Sequence, residues 1–286
     1  MCTSSVPQLA VSVVPSGRTA VMGIVNVTPD SFSDGGNWDN HEAAIAHGEE
    51  LLAQGADILD IGGESTRPGS ARVTAEQEAE RVIPVIRELA ARGAVISIDT
   101  MHATTAKAAI DAGACIVNDV SGGLTDPEIY KVIADHPVLY ICQHWRGTPE
   151  TMDTLTDYNG DVVSGVCAEL SERLESAYAA GVSENQVIVD PGLGFAKTHP
   201  QSWTLLAQCS IIEQRLGRPV LIGASRKRFL ALALDPQRAS NPLERDMVTA
   251  TTSALAAQAG VWAVRVHHVS LTCDAINTVA LWKEHQ

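Results

Sequence analysis

Short runs of aliphatic and β-branched residues alternate along the chain with longer alanine-rich segments whose apolar residues recur every three or four positions. The short runs are typical of strands that are buried on both faces of a parallel sheet, and the longer segments are typical of the helices that cover such a sheet. The predicted strands are residues 20–27, 57–61, 95–99, 115–119, 138–142, 186–190, 220–223 and 262–266. Predicted helices between them include residues 43–53, 75–91, 104–112 and 162–180.

Eight strand-and-helix units in a chain of 286 residues predict an α/β fold of the (β/α)8 barrel type, a TIM barrel. A doubly wound sheet is the alternative, but no GxGxxG motif follows the first strand. No linker rich in Gly, Ser or Pro divides the chain, so we expect one domain over residues 20–286 and an N-terminal extension over residues 1–19. Long connections follow the first, second and fifth strands (residues 28–40, 62–73 and 143–160), and in a barrel such loops gather at the catalytic face.

The charge balance of the chain restricts its partners. It carries 34 acidic against 20 basic residues and a formal net charge of -14, whereas nucleic acids and anionic membranes attract basic surfaces. We therefore expect neither nucleic acid nor a membrane as a partner. No apolar run is long enough to span a bilayer, and residues 1–15 lack the charged start of a secretory signal. The six cysteines form no CxxC pair, which disfavours disulfides and zinc and favours a cytoplasmic protein.

Every predicted strand ends in a polar residue or a polar cluster. If the barrel closes, all of these groups face one mouth, although a single one would mean little, since Asp and Asn often begin a turn. In chain order they are Asn26, Asp60, Asp99, Asn118 with Asp119, His144, Asp190, Ser225 to Lys227, and Arg265 with His267. Asp99, Asn118 and Asp190 supply acceptors and an amide that suit the polar edge of a flat heterocycle.

Cationic groups end the last two predicted strands. They are Lys227, Arg265 and His267, and barrels often bind phosphate at this position. Residues 26–36 and 62–69 form two loops that combine hydroxyl groups, carboxylates and paired glycines, as expected of mobile loops with tight turns. The sequence therefore predicts a site that holds both a polar heterocycle and a phosphate group.

The chain closely resembles the dihydropteroate synthases. Seven motifs carry the resemblance between residues 21 and 269, and the first two are long and the most specific. The motifs occupy residues 22–36, 60–69, 97–100, 117–122, 190–195, 223–227 and 265–267. Members of this family are (β/α)8 barrels, usually dimeric, that join 4-aminobenzoate to a dihydropterin-CH2-diphosphate and release diphosphate with Mg2+. The resemblance implies the same fold, small-molecule substrates, metal and homodimer for this chain.

The resemblance also implies roles for individual residues. The residues that match the pterin-binding set of the family are Asp99, Asn118, Asp190 and Lys227. The residues that match the diphosphate-binding set are Asn26, Thr66, Arg265 and His267, with Asn26 also beside Mg2+. The residues that match the aminobenzoate pocket are Phe32, Arg67, Pro68 and Ser225. The residues expected to take part in catalysis are Asp99, Lys227, Arg265 and His267.

In the mechanism that the resemblance implies, diphosphate leaves first and the arylamine attacks a pterin-methylene cation. Asp99 then stabilises the cation electrostatically, and the two glycine-containing loops close over it to exclude water. The chain departs from the family pattern at two positions. His268 stands where the family usually has an acidic residue, and Gln143 stands where it often has Met. Both departures put local details of the site in question.

Two other functions remain open on the sequence alone. One is a methyltransferase domain that passes a methyl group from a methylated folate to a cobalamin protein, since such domains share the barrel and resemble the set of Asp99, Asn118 and Asp190. They handle no diphosphate, so residues 66–68, 225–227 and 265–267 speak against this function. The other is a paralogue that binds pterin without catalysis, and the intact loops speak against it.

Overall fold

The computed structural model describes residues 17–28, 37–64, 73–148 and 151–286. Its strands are β1 (Ala20–Asn26), β2 (Ile58–Gly62), β3 (Ile96–Asp99), β4 (Ile116–Asp119), β5 (Leu139–Gln143), β6 (Val187–Asp190), β7 (Leu221–Ile222) and β8 (Ala263–Val266). Its α-helices are α1 (Asn37–Ala53), α2 (Ala75–Ala91), α3 (Ala103–Asp111), α4 (Glu128–Ala134), α5 (Val162–Ala179), α6 (His199–Ala207), α7 (Cys209–Leu216), α8 (Asp246–Gln258) and α9 (Val269–Glu284). Short 3₁₀ helices occupy Met152–Thr154, Glu184–Gln186, Arg228–Ala233 and Pro242–Arg245.

The strands form one parallel sheet that closes on itself. Its order is β6-β5-β4-β3-β2-β1-β8-β7, so the first strand pairs with both the second and the last. The remaining gap between β6 and β7 is closed by a parallel bridge between Val189 and Val220. The predicted (β/α)8 barrel is confirmed, and the doubly wound sheet is excluded because an open sheet leaves two edge strands unpaired.

The predicted element boundaries agree with the structure to within a residue or two, with one clear difference. Helix α1 begins at Asn37, whereas the sequence predicted a helix only from residue 43. Residues 37–42 are mostly polar, so they carry no apolar spacing from which a helix could be predicted. Helix α2 begins where predicted, because Thr74 and Gln77 form a capping box that satisfies the free amide groups of its first turn.

Apolar side chains fill two layers. The larger layer lies between the strands and the surrounding helices, and a smaller cluster fills the barrel interior. The interior cluster contains Ala20, Met22, Ile58, Ile116, Leu139, Ile141, Ile188, Leu221 and Ala263. This packed interior leaves the mouth of the barrel as the place where polar groups can meet. Within the part of the chain that the structure describes, no helix is both long and apolar enough to cross a membrane.

Candidate active site

Strand alternation directs the candidate residues into the barrel mouth. Successive side chains of a strand point to opposite faces, so a residue two positions after an interior apolar residue also points inward. Ala263 and Ile188 belong to the interior cluster, and Arg265 and Asp190 follow them by two positions at the strand ends. The same alternation directs to the mouth Asn26, Asp60, Asp99, Asn118, Gln143 and His267.

Asp119 points the other way and has a structural role. Its carboxylate accepts hydrogen bonds from the backbone amides of Ser121 (2.8 Å) and Gly123 (2.6 Å) and from the Tyr140 hydroxyl (3.0 Å). Burial raises the pKa of Asp119, and these hydrogen bonds oppose the rise. Although Asp119 stands next to Asn118 in the sequence, it stabilises the turn after β4 and lies outside the mouth.

A group of side chains that are joined by hydrogen bonds occupies the centre of the mouth. The Arg265 guanidinium donates from Nε to Asp60 Oδ2 at 2.6 Å and from Nη2 to Asp99 Oδ2 at 2.7 Å. Asn118 Nδ2 donates to the same Asp60 oxygen at 3.1 Å. Asp60 is fully buried, and its second oxygen has no hydrogen-bond partner among the described residues. The arrangement holds the guanidinium in one orientation, with Nη1 free of hydrogen bonds to the described part of the chain.

Burial and the neighbouring charges bring the pKa of one carboxyl in this group, that of Asp99, close to neutral pH. Burial raises the pKa of Asp99 to about 7; the Arg265 guanidinium opposes this rise and the Asp60 carboxylate adds to it. Burial by itself would lower the pKa of Arg265, but Asp60 and Asp99 together raise it above its ordinary value. The centre of the mouth therefore contains a permanent cation between two carboxylates, of which Asp99 changes its protonation close to physiological pH.

A second charged pair lies on the adjacent side of the mouth. Asp190 Oδ1 accepts from the Gly192 amide at 2.7 Å, and Lys227 Nζ donates to the Leu193 carbonyl at 2.6 Å. A β-carbon placed on Gly223 would lie 3.3 Å from Asp190 Oδ2 and 3.9 Å from Lys227 Nζ, so both charged groups lie against this glycine. Burial lowers the pKa of Lys227 to about 8 while Asp190 opposes the change, and burial raises the pKa of Asp190 while Lys227 opposes that change.

An apolar cluster lies beside Lys227. Met101, Val120 and Trp145 form a small buried cluster, against which Phe195 packs. The rings of Trp145 and Phe195 have centroids 5.6 Å apart and are inclined by 35°. Lys227 Nζ lies 4.6 Å from the centroid of the Phe195 ring, within range of a cation–π interaction. A flat ligand whose edges are polar would meet both an aromatic surface and the charged groups here.

The structure brings Ser225 and His267 together. The Ser225 hydroxyl lies 3.0 Å from His267 Nδ1, and its oxygen accepts the backbone N–H of His267 at 3.1 Å. The resemblance assigns Ser225 to the aminobenzoate and His267 to the diphosphate, so the two predicted subsites would be neighbours. Arg226, between Ser225 and Lys227, has a left-handed backbone with φ of 58°. Its guanidinium pairs with Asp246 at 2.7 and 2.8 Å, which fixes the segment between the two site residues.

The structure shows the surroundings of both residues that depart from the family pattern. His268 is the exposed N-cap of α9, and its Nδ1 accepts from the Leu271 amide at 3.4 Å. An acidic residue would cap the helix in the same way, so the substitution keeps the cap and removes its negative charge. Gln143 is buried opposite Asp190, and its Nε2 has no partner among the described residues. It leaves an amide donor available to a ligand in the mouth.

The donor set at the end of β1 fits a metal that binds together with a phosphate. Asn26 is half-buried, and its side chain makes no hydrogen bond within the described residues. Mg2+ takes only one or two protein ligands at such sites and fills its shell with water and phosphate oxygens. The described residues contain no cluster of three acidic, His or Cys side chains that could hold a metal alone. Asn26 as a metal ligand therefore stays a prediction that the chemistry of the site permits.

The predicted site residues and the residues that the structure places in the mouth are not the same set. The predicted site residues that lie outside the described ranges are Phe32, Thr66, Arg67 and Pro68. Conversely, Asp60 and Phe195 complete the mouth, although the sequence assigned neither of them a role. Asp60 stands at a strand end, as the assigned residues do, so its position could have identified it. Phe195 could be interpreted only as an apolar loop residue.

The chain is similar to several proteins of known function. The sequence profile of the family described as "Pterin binding enzyme" matches residues 22–267. The dihydropteroate synthase of Mycobacterium leprae is 45% identical over 92% of this chain and 93% of its own length. The structure of Xanthomonas albilineans dihydropteroate synthase with 4-aminobenzoic acid covers 94% of this chain and 93% of its own, with 41% identity and a TM-score of 0.84. The complex of the Xanthomonas albilineans enzyme with 7,8-dihydropteroate has 40% identity, a TM-score of 0.81 and 94% coverage of both chains.

Proposed function

The chain belongs to the dihydropteroate synthases of the pterin-binding enzyme family, and we propose how its residues bind and join the two substrates. It is a transferase that condenses (7,8-dihydropterin-6-yl)methyl diphosphate with 4-aminobenzoate to give 7,8-dihydropteroate and diphosphate. One observation carries the residue assignments: the Asp190–Lys227 pair and the Arg265 network converge on a single barrel mouth. Neither the methyltransferase nor the non-catalytic paralogue is favoured, because the curated relatives are named as synthases.

The pterin binds between the Asp190–Lys227 pair and the network around Arg265. The ring N–H and amino groups of the pterin donate hydrogen bonds to the Asp190 carboxylate, and the carbonyl oxygen of the pterin accepts a hydrogen bond from Lys227. Asn118 donates to Asp60, which leaves its amide oxygen as an acceptor for the opposite edge of the ring. Phe195 supports this placement because its ring offers a flat apolar surface beside Lys227. Asp99 lies where positive charge on the ring system would be stabilised.

The diphosphate binds to the cationic side of the mouth. Arg265 has donors on Nη1 that the two carboxylates do not use, and His267 follows it by two positions. Thr66, which the resemblance adds to this set, lies outside the described residues. Asn26 would hold Mg2+ through its amide oxygen, and the ion would neutralise charge on the leaving diphosphate.

The chain's own groups favour a dissociative reaction. The bond between the pterin methylene carbon and the diphosphate oxygen breaks, and the oxygen keeps the electron pair, which Arg265 and His267 stabilise. The ionised Asp99 stabilises the cation that remains on the pterin. The amine lone pair of 4-aminobenzoate then forms the new C–N bond, and the nitrogen releases a proton. Asp99 acts here through its charge, so the reaction needs no general base at this position.

The aminobenzoate binds beside the diphosphate subsite. Ser225 is the described member of its pocket, and its contact with His267 supports a position next to the leaving group. The other expected members are Phe32, Arg67 and Pro68, which lie outside the described residues. A shared boundary between the subsites would let the amine approach the methylene carbon as the diphosphate departs.

Product formation by the purified chain tests this function. With dihydropterin-CH2-diphosphate, 4-aminobenzoate and Mg2+ present, we expect equal amounts of diphosphate and dihydropteroate, measured by a coupled diphosphate assay and by mass spectrometry. Omission of Mg2+ is expected to lower the rate to about a tenth or less, because the leaving-group charge is then less well neutralised. Binding of pterin without product formation would contradict the synthase function and indicate the paralogue.

We further propose a cytoplasmic homodimer, as the family resemblance implies. Large apolar side chains on two adjacent helices support contact with a second copy, since a monomer exposes few such groups together. Their exposed fractions are 60% for Met247 and 65% for Leu255 on α8, and 59% for Leu281 and 63% for Trp282 on α9.

Sedimentation of surface variants tests the dimer. The wild-type chain is expected to sediment at twice its 30.3 kDa mass. Leu255→Glu is expected to raise the dimer dissociation constant by about 100-fold, because a carboxylate would be buried against the partner. Leu124→Glu is the matched control, since Leu124 is 56% exposed in the connection after β4. A monomeric wild-type chain, or equal behaviour of both variants, would contradict the proposed contact.

A further inference from the structure

A network of ionisable groups around the buried His144 and Lys197 lies behind the pterin side of the mouth, and the proposed reaction uses none of its members directly. His144 is fully buried directly after β5, and its backbone amide donates to the Asp190 carbonyl at 2.8 Å. Lys197 is only 6% exposed and lies in the connection between β6 and α6. Burial of such groups is unfavourable unless they are hydrogen-bonded, so their contacts indicate what the network holds in place.

The Lys197 amino group connects the loop after β6 to a neighbouring strand and helix. Its Nζ lies 2.9 Å from the Phe195 carbonyl oxygen and 2.9 Å from His144 Nδ1. On the other side of the imidazole, His144 Nε2 lies 3.2 Å from Glu169 Oε2 on α5. Arg146 Nε holds both oxygens of this carboxylate, at 2.8 and 3.1 Å. A continuous series of contacts therefore runs from α5 to the loop after β6.

The protonation states determine which group donates and which accepts in this series of contacts. The pKa of Glu169 is lowered to about 2, because hydrogen bonds from His144 and Arg146 outweigh the opposing effect of burial. Burial, with Lys197 nearby, lowers the pKa of His144 to about 3, so its ring is neutral and carries one proton. An ionised Glu169 can only accept a hydrogen bond, so the single ring proton of His144 lies on Nε2 and is donated to Glu169. The other ring nitrogen, Nδ1, is therefore an acceptor. Lys197 therefore donates to His144.

The loop that Lys197 holds carries three contacts of the pterin side. It begins at Asp190, its Leu193 carbonyl accepts from Lys227 at 2.6 Å, and its Phe195 ring lies 4.6 Å from Lys227 Nζ. Because Lys197 donates to the carbonyl of Phe195, it fixes the far end of this loop against β5. Groups that must meet a ligand within a few tenths of an ångström need such support from neighbouring residues.

We propose that Lys197 is a positioning residue for pterin recognition, and that the contacts from Glu169 through His144 hold its amino group so that Asp190, the Leu193 carbonyl and Phe195 keep their places. The inference rests on the proposed function, because it takes a pterin as the ligand of this side of the mouth. Among the described residues, the amino group of Lys197 makes its hydrogen bonds to His144 and the Phe195 carbonyl and none to Arg265 or His267. Loss of Lys197 should therefore affect the two halves of the substrate unequally.

Calorimetric titration of the full chain with separate halves of the substrate tests the role. Lys197→Met is expected to raise the dissociation constant for 6-hydroxymethylpterin by about 30-fold, since the Phe195 carbonyl and His144 lose their shared donor. The dissociation constant for inorganic diphosphate with Mg2+ is expected to change by less than about 3-fold, because Arg265 and His267 keep their contacts. Lys131→Met is the matched control: Lys131 is exposed and paired with Asp135, and its loss should change neither constant.

The outcomes separate the role of Lys197 from the function of the chain. If the wild type binds no pterin, the proposed function fails. If the wild type binds pterin and Lys197→Met binds it equally well, or loses both ligands equally, the positioning role is overturned while the function stands. If Lys197→Met does not fold, nitrogen-15 NMR of the His144 ring in the wild type decides: an unprotonated Nδ1 is expected, and a protonated Nδ1 would contradict donation from Lys197.

Discussion

Replacing Arg265 with alanine is expected to lower kcat/KM for the dihydropterin diphosphate by about 1,000-fold, the largest effect of any single substitution in the mouth. The guanidinium is the only partner on the described residues that brings positive charge into contact with both Asp60 and Asp99. Its removal leaves Asp60, which is fully buried, without a compensating charge. It also removes the donors that stabilise the departing diphosphate. Initial rates at varied substrate concentration measure the loss.

The pH dependence identifies the cause of this loss. Burial raises the pKa of Asp99 to about 7, and Arg265 opposes this rise. Asp99 acts in its ionised form, so activity falls as pH decreases through its pKa. In Arg265→Ala the pKa rises further, and the acidic limb of kcat/KM is therefore expected to move to higher pH. An unchanged acidic limb would contradict the assignment of Asp99 to catalysis.

Two further variants serve as controls for Arg265. Arg265→Lys keeps a positive charge but cannot donate to two carboxylates in a fixed fork, so an intermediate loss is expected. Arg92→Ala removes an arginine that also contacts two carboxylates, those of Glu49 and Glu88, but at an exposed site. It is expected to leave kcat/KM unchanged, since exposed ion pairs contribute little.

Replacing Asp190 with asparagine is expected to lower kcat/KM by about 100-fold, mainly through a higher KM for the pterin substrate. The carboxylate can accept from two N–H groups of the pterin, whereas an amide offers one acceptor and turns a donor toward the ring. The shape of the side chain is nearly unchanged, so folding is expected to persist. Separate measurement of KM for both substrates checks that aminobenzoate binding is affected less.

A second consequence of Asp190→Asn appears on the alkaline side of the profile. The pKa of Lys227 is about 8, because burial lowers it while Asp190 opposes the change. Without the carboxylate, the pKa of Lys227 falls further, so the ammonium is lost at a lower pH. The alkaline limb of kcat/KM is therefore expected to move to lower pH. A limb that stays in place would show that Lys227 does not act as a cation in pterin binding.

Asp135→Asn is the matched control for this substitution. Asp135 also pairs with a lysine, Lys131, at 2.9 Å, but both side chains are exposed. Its replacement is expected to change neither KM nor the pH limits. Combining Asp190→Asn with Lys227→Met adds a further test: the two losses should be less than additive, because each substitution removes the partner of the other.

Most of the barrel could be predicted from local pattern. Apolar runs marked all eight strands, and the polar residue at each strand end marked the mouth, because parallel strands of a barrel end on the same face. The start of α1 at Asn37 was missed, since its first turns carry no apolar spacing. His268 likewise showed its structural role only in three dimensions, where it caps α9.

The contacts between site residues could not be predicted in the same way. Asp60 was visible as a strand-end residue, but its partners Asn118 and Arg265 lie 58 and 205 positions away. Lys197 and His144 are separated by 53 positions and carry no shared motif. Which residue meets which depends on the register between strands and on the loops that cross the mouth.

The local pattern of the chain predicts the strand-and-helix repeat and, through the two-residue period of each strand, which side chains turn into the barrel. Closure of the sheet decided the rest, because it alone brings β8 beside β1 and Arg265 between Asp60 and Asp99. Burial in that closed mouth then moves the pKa of Asp99 to about 7 and that of Lys227 to about 8. These shifts come from desolvation and from charges distant in sequence, so no local pattern could contain them.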